Sequence, residues 1–251
     1  MSNRIFWITS PQEEQSITRP KAHLAYRISN GHLLRGPLPV NTYGGIMAIF
    51  QFEQTKVDST LVSELTEECA CFGYREVFIA TTDKFDKNSA ELFEILGSQL
   101  SAYGITLIVP HSYASFCKHV AFSVSTSISG GSLRDYLESI IHTLGSSHLY
   151  LEHPLTQTEF TMPALTGNGT QISRNDINRI LSFPETQVYY SPELFLNYCT
   201  YRQNGVPHFL LFDDERTIQA KIEFGKTLGI AGQLLLYHEL ADYYSFFDKY
   251  R

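Results

Sequence analysis

Asn204-Gly-Val-Pro-His-Phe-Leu-Leu-Phe-Asp-Asp-Glu-Arg-Thr-Ile-Gln-Ala-Lys221, continuing to Gly229-Ile-Ala-Gly-Gln-Leu-Leu-Leu-Tyr237, reads as one strand–helix–strand unit. After the Asn-Gly turn, Val206–Phe212 is a short apolar run suited to a strand buried on both faces. Asp213 and Asp214 stop it, and either can cap the next helix by accepting its free N–H groups. Ile218, Ile222, Phe224 and Leu228 supply an apolar stripe at roughly helical spacing. Gly229 stands where a helix ends, and Gln233–Tyr237 reads as a second buried strand. Two such strands joined by a helix are expected to lie parallel through a right-handed crossover.

Working outward, the same alternation recurs. Helix Ser59–Phe72 leads to strand Glu76–Thr81, and helix Asn88–Tyr103 to strand Ile105–Val109. Strand Val120–Thr126, helix Leu133–Leu144 and strand His148–Glu152 follow. Ser173–Leu181 reads as a helix capped by Ser173, Gln187–Tyr190 as a strand and Pro192–Tyr201 as a helix with Pro in its first turn. A last helix is expected from Glu239 to Phe247. Alternating strands and helices mean a parallel sheet covered by helices, and eight or more strands favour a closed (β/α)8 barrel. Residues 1–56 hold strands (Arg4–Thr9, His23–Ile28, Ile46–Phe52) and the Pro/Gly loop 35–45 but no helix, so that part is expected to be irregular. Residues 57–251 form the regular part. No internal repeat or linker divides the chain, which is read as one domain.

The chain has 251 residues, 43% hydrophobic and 18% charged, with net charge −7. That size suits one barrel of roughly 250 residues. The acidic balance, without a dense Lys/Arg cluster, argues against a nucleic-acid partner. The start lacks a signal-peptide apolar region and no run is long enough to span a bilayer, so a cytoplasmic protein without a membrane partner is expected. Cys69, Cys71, Cys117 and Cys199 are too few and scattered for a disulfide framework. His142 and His148 lack a third ligand at metal spacing, and neither a metal nor a cofactor is expected. Asn168-Gly-Thr170 matches a glycosylation sequon but reads as a polar turn.

Three stretches carry a family resemblance. Gly205-x-Pro-His-x-x-x-Phe-Asp-Asp-x-x-Thr-Ile-x-x-Lys221, followed by Leu228-Gly-Ile-Ala-Gly232, resembles the last two strands of glycoside hydrolase family 18, in its bacterial spore-cortex and germination branch. His148-Leu-Tyr-Leu-Glu-His-Pro154 resembles that family's Lys-Leu-x-Leu-Gly-x-Pro strand, taken as its sixth. Ala90–Pro110 resembles its fourth helix and fifth strand. The resemblance implies a catalytic Asp-Gly-x-Asp-x-Asp-x-Glu on the fourth strand, with Glu as proton donor and the Asp two positions earlier assisting the N-acetyl group. Aligning 72–82 on that pattern places Ala80 at the assisting Asp and Thr82 at the Glu. A Thr hydroxyl cannot serve as a general acid near neutral pH. Asp83 points to the opposite face unless a bulge intervenes. Val124-Ser-Thr-Ser127 stands where the family has Met-x-Tyr-Asp. The tryptophan ending strand eight has no counterpart near Tyr237, the sole tryptophan, Trp7, being far off on the first strand.

These departures imply a noncatalytic relative whose barrel mouth binds an N-acetylated glycan, chitin- or peptidoglycan-like, or a protein partner. His111, Tyr113, Thr126, Tyr190, Tyr237 and His238 are the expected ligand contacts. The rival readings are a hydrolase using Asp83, Asp213, Asp214 or Glu239, which needs two carboxylates about 5 to 10 Å apart, and a structural protein without a ligand. Asp213-Asp214-Glu215 also reads as a helix N-cap at the mouth, Glu239 and Asp242 as caps of the final helix. Ser127-Ile-Ser-Gly-Gly131 is a backbone anion cradle or a simple turn.

Overall fold

Eight parallel strands close into a ring in the computed structural model, which describes residues 4–53, 56–80, 85–164 and 169–248. In chain order they are β1 (Arg4–Thr9), β2 (Lys21–Ser29), β4 (Ile46–Glu53), β5 (Glu76–Ile79), β6 (Thr106–Pro110), β7 (Ala121–Ser125), β8 (Leu149–Glu152) and β14 (Gly232–Leu236). Closure is made by β1, where Trp7 lies beside Leu235 of β14 and beside Lys21 of β2. The ring abolishes sheet edges, and β3 (His32–Arg35) extends it only as an antiparallel hairpin on β2. This is the (β/α)8 architecture expected from the alternation.

Helices α1 (Ser59–Phe72), α2 (Lys87–Ser101) and α3 (Leu133–Leu144) connect successive strands. Their starts are written locally: Asp58 accepts the Leu61 N–H at 3.1 Å and Asp86 accepts that of Ser89 at 2.8 Å. Gly97 lets α2 approach the entry of β7, because a Cβ there would lie 2.6 Å from the His119 carbonyl oxygen.

The irregular N-terminal part is real. Between β1 and β2 the chain makes only a 3-10 turn at Glu14–Ser16. A polar clasp substitutes for the missing helix: Glu14 accepts from Thr9 at 2.9 Å, and pairs with His23 Nδ1 at 2.7 Å and Lys21 Nζ at 3.0 Å. Burial alone would raise the Glu14 carboxyl, but the His23 contact, helped by Lys21 and Thr9, outweighs it and holds the pKa low.

By contact the chain divides into two compact units. The first holds Met1–Val124, Leu144–Glu152 and Gly229–Ala241; the second holds Ser125–Thr143, His153–Leu228 and Asp242–Arg251. The second contains an antiparallel five-stranded sheet, made of β9 (Gln157–Thr161), β10 (Thr170–Gln171), β11 (Val188–Ser191), β12 (Leu196–Gln203) and β13 (Val206–Phe212). Here two expectations are corrected. Val206–Phe212 is not a barrel strand beside 233–237: it pairs antiparallel with β12 and β9. The seventh barrel strand is instead Leu149–Glu152, which pairs with β14. Pro192–Tyr201 is not a helix, since Leu196 to Gln203 run as β12. Helix α4 (Arg174–Leu181), capped by Ser173 as expected, packs Ile177 and Ile180 on Cys199, Tyr201, Leu210 and Phe212 of this sheet.

Candidate functional site at the barrel mouth

Alternate residues of the ring strands face inward. Phe6, Ile8, Ala22, Ile46, Ala48, Phe78, Ile108, Ala121, Tyr150 and Leu234 form one buried interior cluster, on which Leu24, Ala80 and Leu236 pack. The N-terminal end of the barrel is plugged by a polar knot, with Glu76 accepting from Arg4 at 2.6 Å and from Tyr150 at 3.3 Å. The C-terminal end, where barrel active sites form, is different. Ala80 stands there as a methyl group at the end of the fourth strand. Thr82 and Asp83 lie outside the described residues.

The strand alternation that turns Tyr150 inward turns Glu152 inward too, and Glu152 pairs in register with Leu234. Part of its surface still reaches solvent, yet the carboxyl lies deep enough that burial raises its pKa, an effect the Ser123 hydroxyl partly offsets. Ser123, on the inward face of β7, is buried, and its Oγ makes no hydrogen bond of normal geometry. A buried hydroxyl in that state costs about 1–3 kcal/mol. The sequence reading missed both residues. The signal was present, because His148-Leu-Tyr-Leu-Glu152 sets Tyr150 and Glu152 two apart, and the family pattern has Gly at the second place.

On the first strands a cavity of about 490 Å³ is bordered by Pro11, Leu24, Arg27, Leu34, Arg35 and Phe50. Register shifts between His23 and Arg27 bend β2 against β4, the kind of irregularity that re-aims side chains at a barrel rim. Phe50 keeps 46% of its surface exposed. In the loops after β5 and β6, Phe85 and Phe116 stack with ring centres 4.9 Å apart and remain exposed.

The expected contacts fall in several places. His111 opens a 3-10 turn directly after β6, half-buried, and burial lowers its pKa. Tyr113 is buried against Phe85 and Phe93, at 5.2 and 5.0 Å. Tyr237 and His238 begin helix α6 (Tyr237–Leu240), directly after β14, with His238 exposed and Glu239 half-buried. Trp7, distant in sequence, meets Tyr237 edge-to-face at 6.1 Å because closure sets β1 beside β14.

In the second unit, Thr126 is buried and its hydroxyl lies 3.1 Å from His153 Nδ1. Tyr190 is exposed on β11. The expected place of Asp213 and Asp214 at the end of a barrel strand is corrected, since both follow β13 of the five-stranded sheet. Asp213 is saturated: Lys221 donates to both its oxygens at 2.9 and 2.8 Å, Thr217 donates at 2.7 Å and the Thr156 N–H at 2.9 Å. Asp214 caps α5 (Glu215–Thr227) in a reciprocal capping box with Thr217. Both carboxylates are thus engaged in holding α5.

No group of three or more His, Cys, Asp and Glu side chains is arranged to hold a metal among the described residues. All four cysteines are free, and burial pushes Cys69 up to about 12 and Cys117 and Cys199 up to about 11, which leaves little reactive thiolate. No described helix is long and apolar enough to cross a membrane.

Solved structures supply the comparison. The chain superposes on a family 18 N-acetylglucosaminidase from Paenibacillus barengoltzii with TM-score 0.64 at 10% identity, covering 96% of this chain and 98% of that one. The fold is that of glycoside hydrolase family 18. The spore cortex-lytic enzyme SleL of Bacillus cereus gives TM-score 0.61 at 14% identity, over 94% and 71% of the two chains. A chitinase from Chromobacterium violaceum gives 0.58 at 14% identity, over 92% and 93%. No family model matches the sequence, and no curated protein matches it. The family 18 likeness expected from the quoted stretches is borne out by the fold of these solved structures.

Proposed function

We propose that this chain is a noncatalytic protein with the family 18 fold whose barrel mouth binds a neutral, N-acetylated glycan. The observation that carries the reading is the pairing of a methyl group, Ala80, at the end of the fourth strand with exposed Phe50 bordering a cavity of about 490 Å³. Two-carboxylate glycosidic cleavage needs the groups about 5 to 10 Å apart, and the substrate-assisted route needs an acid at the end of the fourth strand, where the sequence has Ala80 and Thr82. Among the described residues only Glu152 brings a carboxyl from a ring strand to the inward face at that end. One carboxyl beside a hydroxyl suits hydrogen bonding to sugar. Exposed aromatic faces suit stacking on the apolar face of a pyranose. The enzymes it superposes on act on chitin, N-acetylglucosaminides and spore cortex, and this supports an N-acetylated sugar as the occupant.

The test is a melting-temperature series with chitotetraose and with soluble cortex fragments. A ligand that binds the folded state alone raises Tm with concentration. A rise for either glycan, absent with a neutral glucan of equal length, is the expected result; no rise with either overturns the reading.

A further inference from the structure

We propose that Ser123 and Glu152 are the polar floor of this mouth and hydrogen-bond the ligand directly, fixing which sugar face enters. The inference rests on the glycan reading above and assigns the contacts within it. The two residues sit on adjacent strands, β7 and β8, which are the sixth and seventh members of the ring, while Phe50 is on the third. In an eight-strand ring those positions lie across the mouth from each other, so a ring stacked on Phe50 turns its hydroxyl or amide edge toward Ser123 and Glu152. The apolar residues packed on the interior cluster towards that end include Ile8, Leu24, Ala80 and Leu236.

Two observations, on neighbouring strands, point to a ligand here. The Ser123 hydroxyl is buried, 3% exposed, without a hydrogen bond of normal geometry. Glu152 occupies the end of a barrel strand where an apolar residue would serve stability better, since burial works against its charged form. Polar groups kept at that cost suit an occupant that offers both donors and acceptors, as a sugar hydroxyl does. A neutral ligand fits because burial disfavours adding further charge beside the carboxyl.

The experiment is isothermal titration calorimetry with N,N′-diacetylchitobiose on the wild-type protein, Ser123→Ala, Glu152→Gln and Glu152→Leu, with Tm measured on each free protein. Glu152→Leu is expected to weaken binding by about tenfold or more, and Glu152→Gln, which keeps a donor and an acceptor, by less than about threefold. Ser123→Ala is expected to weaken binding while raising the Tm of the free protein by about 2–4 °C, because it removes an unpaired buried hydroxyl. Unchanged affinity in Glu152→Leu, or a lower Tm with intact affinity in Ser123→Ala, overturns the proposal. Absence of heat with the wild-type protein overturns the glycan reading instead.

Discussion

Lys221 donates to both carboxylate oxygens of Asp213, at 2.9 and 2.8 Å, with both side chains wholly inaccessible to solvent. Burial lowers the lysine's pKa despite its partner, so the charge survives there only because Asp213 answers it. Asp213→Ala is expected to cost about 3–5 kcal/mol in urea unfolding, since it strands a buried ammonium. Asp213→Leu combined with Lys221→Met is expected to recover most of that loss. A single mutant within 1 kcal/mol of wild type, on the order of an exposed pair, contradicts this account.

Glu152 predicts a pH dependence of definite sign. Its folded pKa is raised by burial above the ordinary value of 4.5. Stability from its protonated form is therefore full below that value and is lost as pH rises through the folded pKa. Glu152→Gln, which mimics the neutral acid, should match wild type near pH 4 and exceed it at pH 8. Thermal unfolding at both pH values checks this, and a constant Tm difference contradicts it.

Glu14 has the opposite sign. Its pKa is held below the usual 4.5 by His23, Lys21 and Thr9, against the effect of burial. That contribution is present above the unfolded pKa and lost as pH falls through the folded one. Glu14→Ala is expected to cost about 1–3 kcal/mol at pH 7, because it leaves the His23 and Lys21 donors without their acceptor. Amide hydrogen exchange in the 10–24 segment should speed up more than that of α2. Equal acceleration everywhere would show that the clasp is not local.

The extent to which the sequence disclosed this molecule depends on what each signal can distinguish. Caps are local, so Ser173 before α4 and Asp214 before α5 were legible. The barrel's alternation was legible too, from 57 onward. Val206–Phe212 misled because an apolar run buried on both faces suits a parallel barrel strand and a strand covered on both sides of an antiparallel sheet equally well. Leu196–Gln203 misled through Pro192, although Cys199 and Tyr201 on one face and Leu196 and Tyr198 on the other carried the period of two. At the site, Tyr237 beside Trp7 needed ring closure, which local sequence does not report. Ser123 and Glu152 needed the inward phase of two neighbouring strands, and neither belongs to a motif with a known chemistry.

The stacking surface makes a separate prediction. Phe50→Ala should weaken binding of chitotetraose by about 1–3 kcal/mol while leaving the fold intact, since the ring is 46% exposed and its loss opens no core cavity. Phe116→Ala, in the stacked pair after β6, serves as the comparison. Equal affinity in Phe50→Ala and wild type would remove the first strands from the binding surface.

Binding without cutting is the central claim, and a mass-spectrometric time course tests it most directly. Purified protein at saturating chitotetraose is held at pH 5 and pH 7, and the oligosaccharide distribution is followed for many hours. The account predicts an unchanged tetramer that is nonetheless retained by the protein. Shorter oligosaccharides that vanish with Glu152→Gln or Asp83→Asn would contradict it, and would identify a working acid.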